Sequence, residues 1–254
     1  MASLLRLHIP QPQALDTVID LPPEAVRHVQ VRRLQPGDPL RVFDGLGQEW
    51  QAELQQMGRH SARARIVARV DSLPESAWQV SLAIVVPANE RMDTLVEKLA
   101  ELGAAAVQPL LSERSVVRLS GERAQRRCAH WQAIAVAACE QSGRAWVPRI
   151  EPLRSLRDWL SGLPPLASGA DRLGGPARWV LTPMGGHSPA ALLGTTRAAL
   201  GGQLTALSGP EGGLSDDEVA LAQTQGFEAL NLGPRILRAD TAPLALMAWM
   251  SLLA

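Results

Sequence analysis

Hydrophobic and polar positions change their rhythm near residue 75. Before it lie a helical segment from Pro23 to Leu34 and the turn Pro36-Gly37-Asp38, followed by short β-rich runs at Leu40 to Asp44, Glu49 to Leu54 and Ala64 to Val70. Such runs, bounded by turn residues, predict a small β-barrel-like module. Asp71 to Ser76 carries a proline among small and polar residues with no apolar period, which marks a linker. From Val80 onward strand-like and helix-like segments alternate. Val80 to Val86 reads as a strand, and Met92, Leu95, Val96, Leu99 and Leu102 then share one face of a helix that Gly103 ends.

Val107 to Leu111 is strand-like and Glu122 to Ser142 is a long helix, while Trp179 to Thr182, Leu204 to Ser208 and Glu228 to Leu232 are further strands. Ser215 and Glu218 form a capping box for a helix that runs to Gln225 and stops at Gly226, and Thr241 is expected to cap the last helix. Leu163 to Pro176, rich in Gly, Pro, Ala and Ser, is expected to be a surface loop. Strands alternating with helices predict an α/β domain with a mostly parallel sheet.

Composition changes this picture little: 46% hydrophobic and 20% charged residues are those of an ordinary globular chain. A length of 254 residues accommodates a small domain followed by a larger one. Charge matters more. The formal net charge of +0 removes any global pull on polyanions, so a nucleic-acid surface has to come from local clusters such as Arg27, Arg32, Arg33 and Arg41, or Arg59, Arg63, Arg65 and Arg69. Cys128 and Cys139 sit in an alanine-rich helical pattern and read as packed thiols. The start lacks a secretory pattern, no apolar run is long enough for a bilayer, and the apolar ending from Pro243 reads as a buried or interface helix, so a cytoplasmic protein is expected.

Two loops carry the candidate chemistry, each directly after a predicted strand, where an open α/β sheet binds ligands. Ser208-Gly209-Pro210-Glu211-Gly212-Gly213 has glycines that let the backbone approach a ligand closely, and Leu232 to Thr241 places Arg235, Arg238 and Asp240 together. Neither loop has a Walker lysine or the G-x-G-x-x-G spacing, so neither is a phosphate cradle of the usual type and NTP hydrolysis is not expected. The G-x-G at Gly45 to Gly47 lies between strands and reads as a hairpin turn. G-x-S-x-G is absent and the five histidines form no metal-ligand cluster, so neither serine hydrolysis nor a metal site is supported.

The pair LSGPEGGLSDDEV and LGPRILRADTA, with the blocks RHVQVRRLQPGDPLRVFDG, RMDTLVEKLAELG, PLLSERSVV and AACEQSGR, resembles the RsmE family of ribosomal small subunit (16S) RNA uridine-N3 methyltransferases, members of the SPOUT superfamily. The resemblance implies a PUA-like β-barrel RNA-binding domain over residues 1–72 and a SPOUT methyltransferase domain over 77–254. That second domain is expected to be an α/β-knot, with a deep trefoil knot that is a rare exception among folds. It implies S-adenosyl-L-methionine as cofactor, a homodimer, and ribosomal RNA of the small subunit as partner. The cofactor loops map onto Leu181, Thr182 and Pro183; onto Leu207, Ser208, Gly209, Pro210, Glu211, Gly212 and Gly213; and onto Leu232, Gly233, Ile236 and Leu237.

Neutral uracil N3 holds a proton and is a poor nucleophile until that proton leaves. Arg238 is therefore expected to stabilise the developing anion, and Asp240 to orient Arg238 or accept the proton. Pairing of Arg238 with Asp240 merely to cap the last helix is the competing expectation. Arg6, Arg33, Arg114 and Arg144 are the expected phosphate contacts. The chain departs from the family's Arg-Thr-Glu-Thr with Arg238-Ala239-Asp240-Thr241, and has Gln30 where an arginine is usual. A catalytically inactive RNA-binding or assembly factor, or a sibling methyltransferase with another acceptor atom, is the alternative function.

Overall fold

The computed structural model describes residues 4–11, 13–76, 78–88, 91–165, 177–189 and 202–252. Contacts divide the chain into two units: Met1–Glu75 with Val136–Val147, and Ser76–Ala135 with Pro148–Ala254. The end of a long helix thus joins the first unit, which a linear division of the sequence does not provide for.

The first unit contains β1 (Arg6–His8), β2 (Val18–Asp20), α1 (Pro23–Val31), β3 (Pro39–Phe43), β4 (Glu49–Met57) and β5 (Ala62–Val70). Its sheet runs β1-β3-β4-β5-β2; β1 is parallel to β3 and the other pairs are antiparallel. Alternation explains why these residues form strands. Leu40 and Val42 of β3 face Ala52 and Trp50 of β4, Ala52 and Leu54 face Ile66 and Ala64 of β5, and all of them are buried. Period-two burial of this kind ties register to the core, because a one-residue slip would turn the whole set to solvent. Pro23 opens α1 within its first turn, where a missing N–H costs nothing, and Ala25, Val26 and Val29 cover the same core. The predicted Gly45 to Gly47 turn joins β3 to β4 and is held by Ala145 and Val147, whose backbones exchange hydrogen bonds with Gly47 and Gly45 at 3.1 and 3.0 Å.

The second unit contains β6 (Gln79–Val85), α2 (Arg91–Glu101), β7 (Ala106–Leu111), most of α3 (Gly121–Ser142), β8 (Arg149–Ile150), β9 (Arg154–Ser155), α4 (Leu156–Ser161), β10 (Ala177–Leu181), β11 (Gln203–Ser208), α5 (Asp216–Thr224), β12 (Glu228–Leu230) and α6 (Thr241–Ser251). Its seven-stranded sheet is parallel throughout, in the order β12-β10-β11-β6-β7-β8, with β9 also paired to β7. The α/β architecture expected from the alternation is present. Met92, Leu95, Val96 and Leu99 form the buried stripe of α2. The capping box is complete: Ser215 Oγ accepts from Glu218 N, and Glu218 Oε2 accepts from Ser215 N at 2.9 Å. A core of Val85, Leu110, Leu160, Val180, Leu207 and Phe227 joins the sheet to α4 and α5.

One expected cap is wrong. Asp240, not Thr241, occupies the N-cap position of α6, and it makes no side-chain cap bond because its backbone already has helix-like angles, φ −84° and ψ −25°. A cap side chain reaches the first free N–H groups from an extended backbone, which this residue lacks. Most of the expected Leu163 to Pro176 loop lies outside the described residues. Both cysteines are free; Cys139 is buried, and burial pushes its thiol up to about 11.

Candidate functional site

β12, β10 and β11 are parallel neighbours, so their C-terminal ends leave the sheet on one edge and the three following loops start side by side. The loops enclose a cavity of about 650 Å³, within the range of small-molecule sites. Leu181, Thr182 and Pro183 line it from the first loop; Ser208, Gly209, Pro210, Glu211, Gly212 and Gly213 from the second; Leu232, Ile236, Leu237 and Arg238 from the third. Three expected residues are not among its lining: Leu207 is fully buried in the core, and Gly233 and Asp240 lie in the third loop away from the wall. Asn231, Arg235 and Gln223 line the cavity without having been singled out as binding residues.

Backbone demands set the loop sequences. Gly186 has φ +81°, and a Cβ there would lie 2.5 Å from the Ala229 carbonyl oxygen, so only glycine fits. Its neighbour His187 donates through N to Ala229 O at 2.8 Å and accepts from Asn231 N at 2.9 Å. Asn231 then locks two loops: its Nδ2 donates to Pro183 O at 3.2 Å, and its Oδ1 accepts from Gly233 N at 2.8 Å. The glycine loop is held from outside by Arg114, whose Nη1 donates to Gly212 O at 3.1 Å and Leu214 O at 3.2 Å.

Charge is unevenly matched around the cavity. The guanidinium of Arg238 is exposed and makes no hydrogen bond or ion pair with any described residue, and the same holds for Arg235. Asp240 faces Arg91 instead, with Oδ2 3.9 Å from Nε. Among the described residues no Arg238–Asp240 ion pair forms, so helix capping by that pair does not account for either side chain. Glu211 Oε1 lies 3.5 Å from Arg91 Nη1 and accepts from Ala88 N at 3.2 Å.

Residues 74–251 match an RNA methyltransferase domain family, and residues 21–67 an RNA methyltransferase PUA domain family. Ribosomal RNA small subunit methyltransferase E of Synechocystis sp. is 33% identical over 247 residues, which are 96% of this chain and 76% of the relative. The protein of the same name from Bacillus subtilis is 30% identical over 222 residues, 87% of this chain and 84% of the relative. The crystal structure of the Neisseria gonorrhoeae methyltransferase E, bound to S-adenosyl methionine, superimposes with a TM-score of 0.87 at 36% identity, covering 99% of this chain and 98% of that one. The chain belongs to the ribosomal RNA small subunit methyltransferase E family.

The four arginines expected to meet RNA have unlike surroundings. Arg6 is clamped on Glu49 at 3.1 Å, donates to Cys139 O at 2.6 Å and lies over the Phe43 ring. Arg144 is clamped on Glu75 at 2.6 Å, and both arginine side chains are only 11% exposed. Arg114 braces the glycine loop, while Arg33 stands exposed at the end of α1 with φ +56°. Arg91 was missed altogether, since an arginine opening an amphipathic helix reads as part of its solvated face. Among the described residues no group of His, Cys, Asp or Glu is arranged to hold a metal, and no helix is long and apolar enough to cross a membrane.

Proposed function

We propose that this chain transfers a methyl group from S-adenosyl-L-methionine to N3 of a uridine in 16S ribosomal RNA. The observation that carries the reading is the three-loop cavity with an unpaired Arg238 on its wall. The residues fit such a cofactor. An added Cβ on Gly209 would meet Leu214 at 3.1 Å and Gly213 has φ +71°, so both positions call for glycine, and both line the space. Leu181, Leu232 and Leu237 supply apolar wall, and exposed N–H and C=O groups of the glycine loop can bond purine and ribose edges.

The cofactor supplies a methyl already activated on a sulfonium, which leaves the protein mainly the task of alignment. Arg238 stabilises the negative charge that spreads to the uracil carbonyl oxygens as the N3 proton leaves. Asp240 lies off the cavity wall against Arg91 and holds the loop that carries Arg238, and the N3 proton leaves to solvent. Residues 1–72 serve as the RNA-binding domain and 77–254 as the methyltransferase domain, with Arg33 an exposed phosphate contact. The methyltransferase domain carries the trefoil knot that the family resemblance implies. Half-buried Leu244 and Trp249 on α6, with the exposed Leu252 just after it, support a homodimer built on that helix, and free thiols suit a cytoplasmic protein.

Calorimetry with S-adenosyl-L-methionine, followed by mass spectrometry of nucleosides from small-subunit ribosomal RNA incubated with protein and cofactor, tests the reading. Heat of binding and new 3-methyluridine are expected. Heat without any methylated nucleoside would leave an inactive RNA-binding factor, and a different methylated nucleoside would move the acceptor atom.

A further inference from the structure

We infer that Arg91 is a positioning residue that couples the cofactor loop to the acceptor loop. It opens α2 directly after β6, and β6 is the sheet neighbour of β11, so Arg91 starts beside the loop that follows β11. Two of its nitrogens address two loops: Nη1 lies 3.5 Å from Glu211 of the glycine loop, and Nε lies 3.9 Å from Asp240 of the loop that carries Arg238. No other described cation lies within ion-pair distance of either carboxylate.

The three side chains are 29 to 38% exposed. Ion pairs so wet add little to stability, so this pairing matters for geometry and not for folding. Its second effect is on charge. Asp240 is two residues from Arg238 and is its nearest carboxylate along the chain; held by Arg91, it leaves the Arg238 guanidinium unpaired and facing the cavity. Lysine cannot replace this residue fully, because a point charge on a flexible stem lacks the planar fork that meets two carboxylates at once.

The inference rests on the proposed methyl transfer, and its test separates the two. Binding of S-adenosyl-L-methionine and methylation of unmodified small-subunit ribosomal RNA are measured for the full-length wild type, Arg91→Ala and Arg91→Lys, then for Arg91→Ala in Glu211→Gln and Asp240→Asn backgrounds. Arg91→Ala should weaken cofactor binding about fivefold and lower kcat about tenfold, with the melting temperature nearly unchanged. In the Glu211→Gln background the loss of affinity should disappear, and in the Asp240→Asn background the further loss of kcat should disappear. Arg91→Lys should restore one of the two readouts and not both. A change in melting temperature alone, or effects undiminished in both backgrounds, would overturn the coupling. A wild type that binds no cofactor would overturn the proposed function and this inference with it.

Discussion

One group of arginines in each unit is treated in the opposite way to the other. In the first, Arg6 and Arg41 converge on Glu49, which is 3% exposed, and Arg144 grips Glu75; these cations are balanced inside the fold. In the second, Arg238 and Arg235 stand unpaired on the wall of a cavity. A buried carboxylate has lost its water and needs the guanidinium for the fold to form. An unpaired cation on a cavity wall stays hydrated until something negative arrives, so it is available to charge that develops during a reaction. The difference teaches that an arginine in a family-like sequence block is not thereby an RNA contact: what decides is whether a carboxylate has already claimed it.

Four measurements test this contrast. Arg238→Ala should lower kcat about 10³-fold, roughly 4 kcal/mol, while cofactor affinity measured by calorimetry stays within a few-fold. Substantial residual turnover would remove Arg238 from the chemistry. Arg6→Ala should do the reverse: leaving Glu49 with Arg41 alone costs about 3 kcal/mol in a denaturant melt, and the folded fraction should methylate normally. If Arg6→Ala weakened RNA binding without destabilising the chain, the contrast would fail in the first unit.

Gly186→Ala should come next. The added Cβ meets the Ala229 carbonyl at positive φ, costing about 1 to 3 kcal/mol locally, and the loss should be read as weaker cofactor binding.

Asp93→Asn should have the smallest effect. Burial pushes the Asp93 carboxyl up, but hydrogen bonds from His130 and Trp131 and the charge of Arg127 outweigh it and hold its pKa below the usual value. A depressed carboxylate contributes stability above its unfolded pKa and loses it as pH falls through the folded value. The variant should therefore melt about 2 to 4 °C lower at pH 7, and the gap should close in acid. A gap that persists below pH 3 would assign the effect to packing.

Much of the fold was legible because it is written in short-range patterns. The stripe of α2 and the β-rich runs of the first unit repeat over enough residues to reveal their period, and the capping box at Ser215 is a motif of residues three apart. β1 and β2, with three residues each, and β8 and β9, with two each, are too short to show any period, and they form because a neighbouring strand offers its edge. In the site, the glycines and Arg238 stood out by residue type. Asn231 did not, because an asparagine in a loop is ordinary until its amide is seen to span two loops.

Short-range pattern in the chain was enough for the longer helices and strands, for where the ligand loops begin, and for which family the chain resembles. Those properties depend on residues close together along the chain. Only the tertiary structure decided the order of the parallel strands, the passage of Val136–Val147 into the first unit, the capture of Arg6 and Arg144 by carboxylates, and the turning of Asp240 toward Arg91. Each of these is a choice of partner among residues far apart in sequence, made by burial and charge in the folded chain.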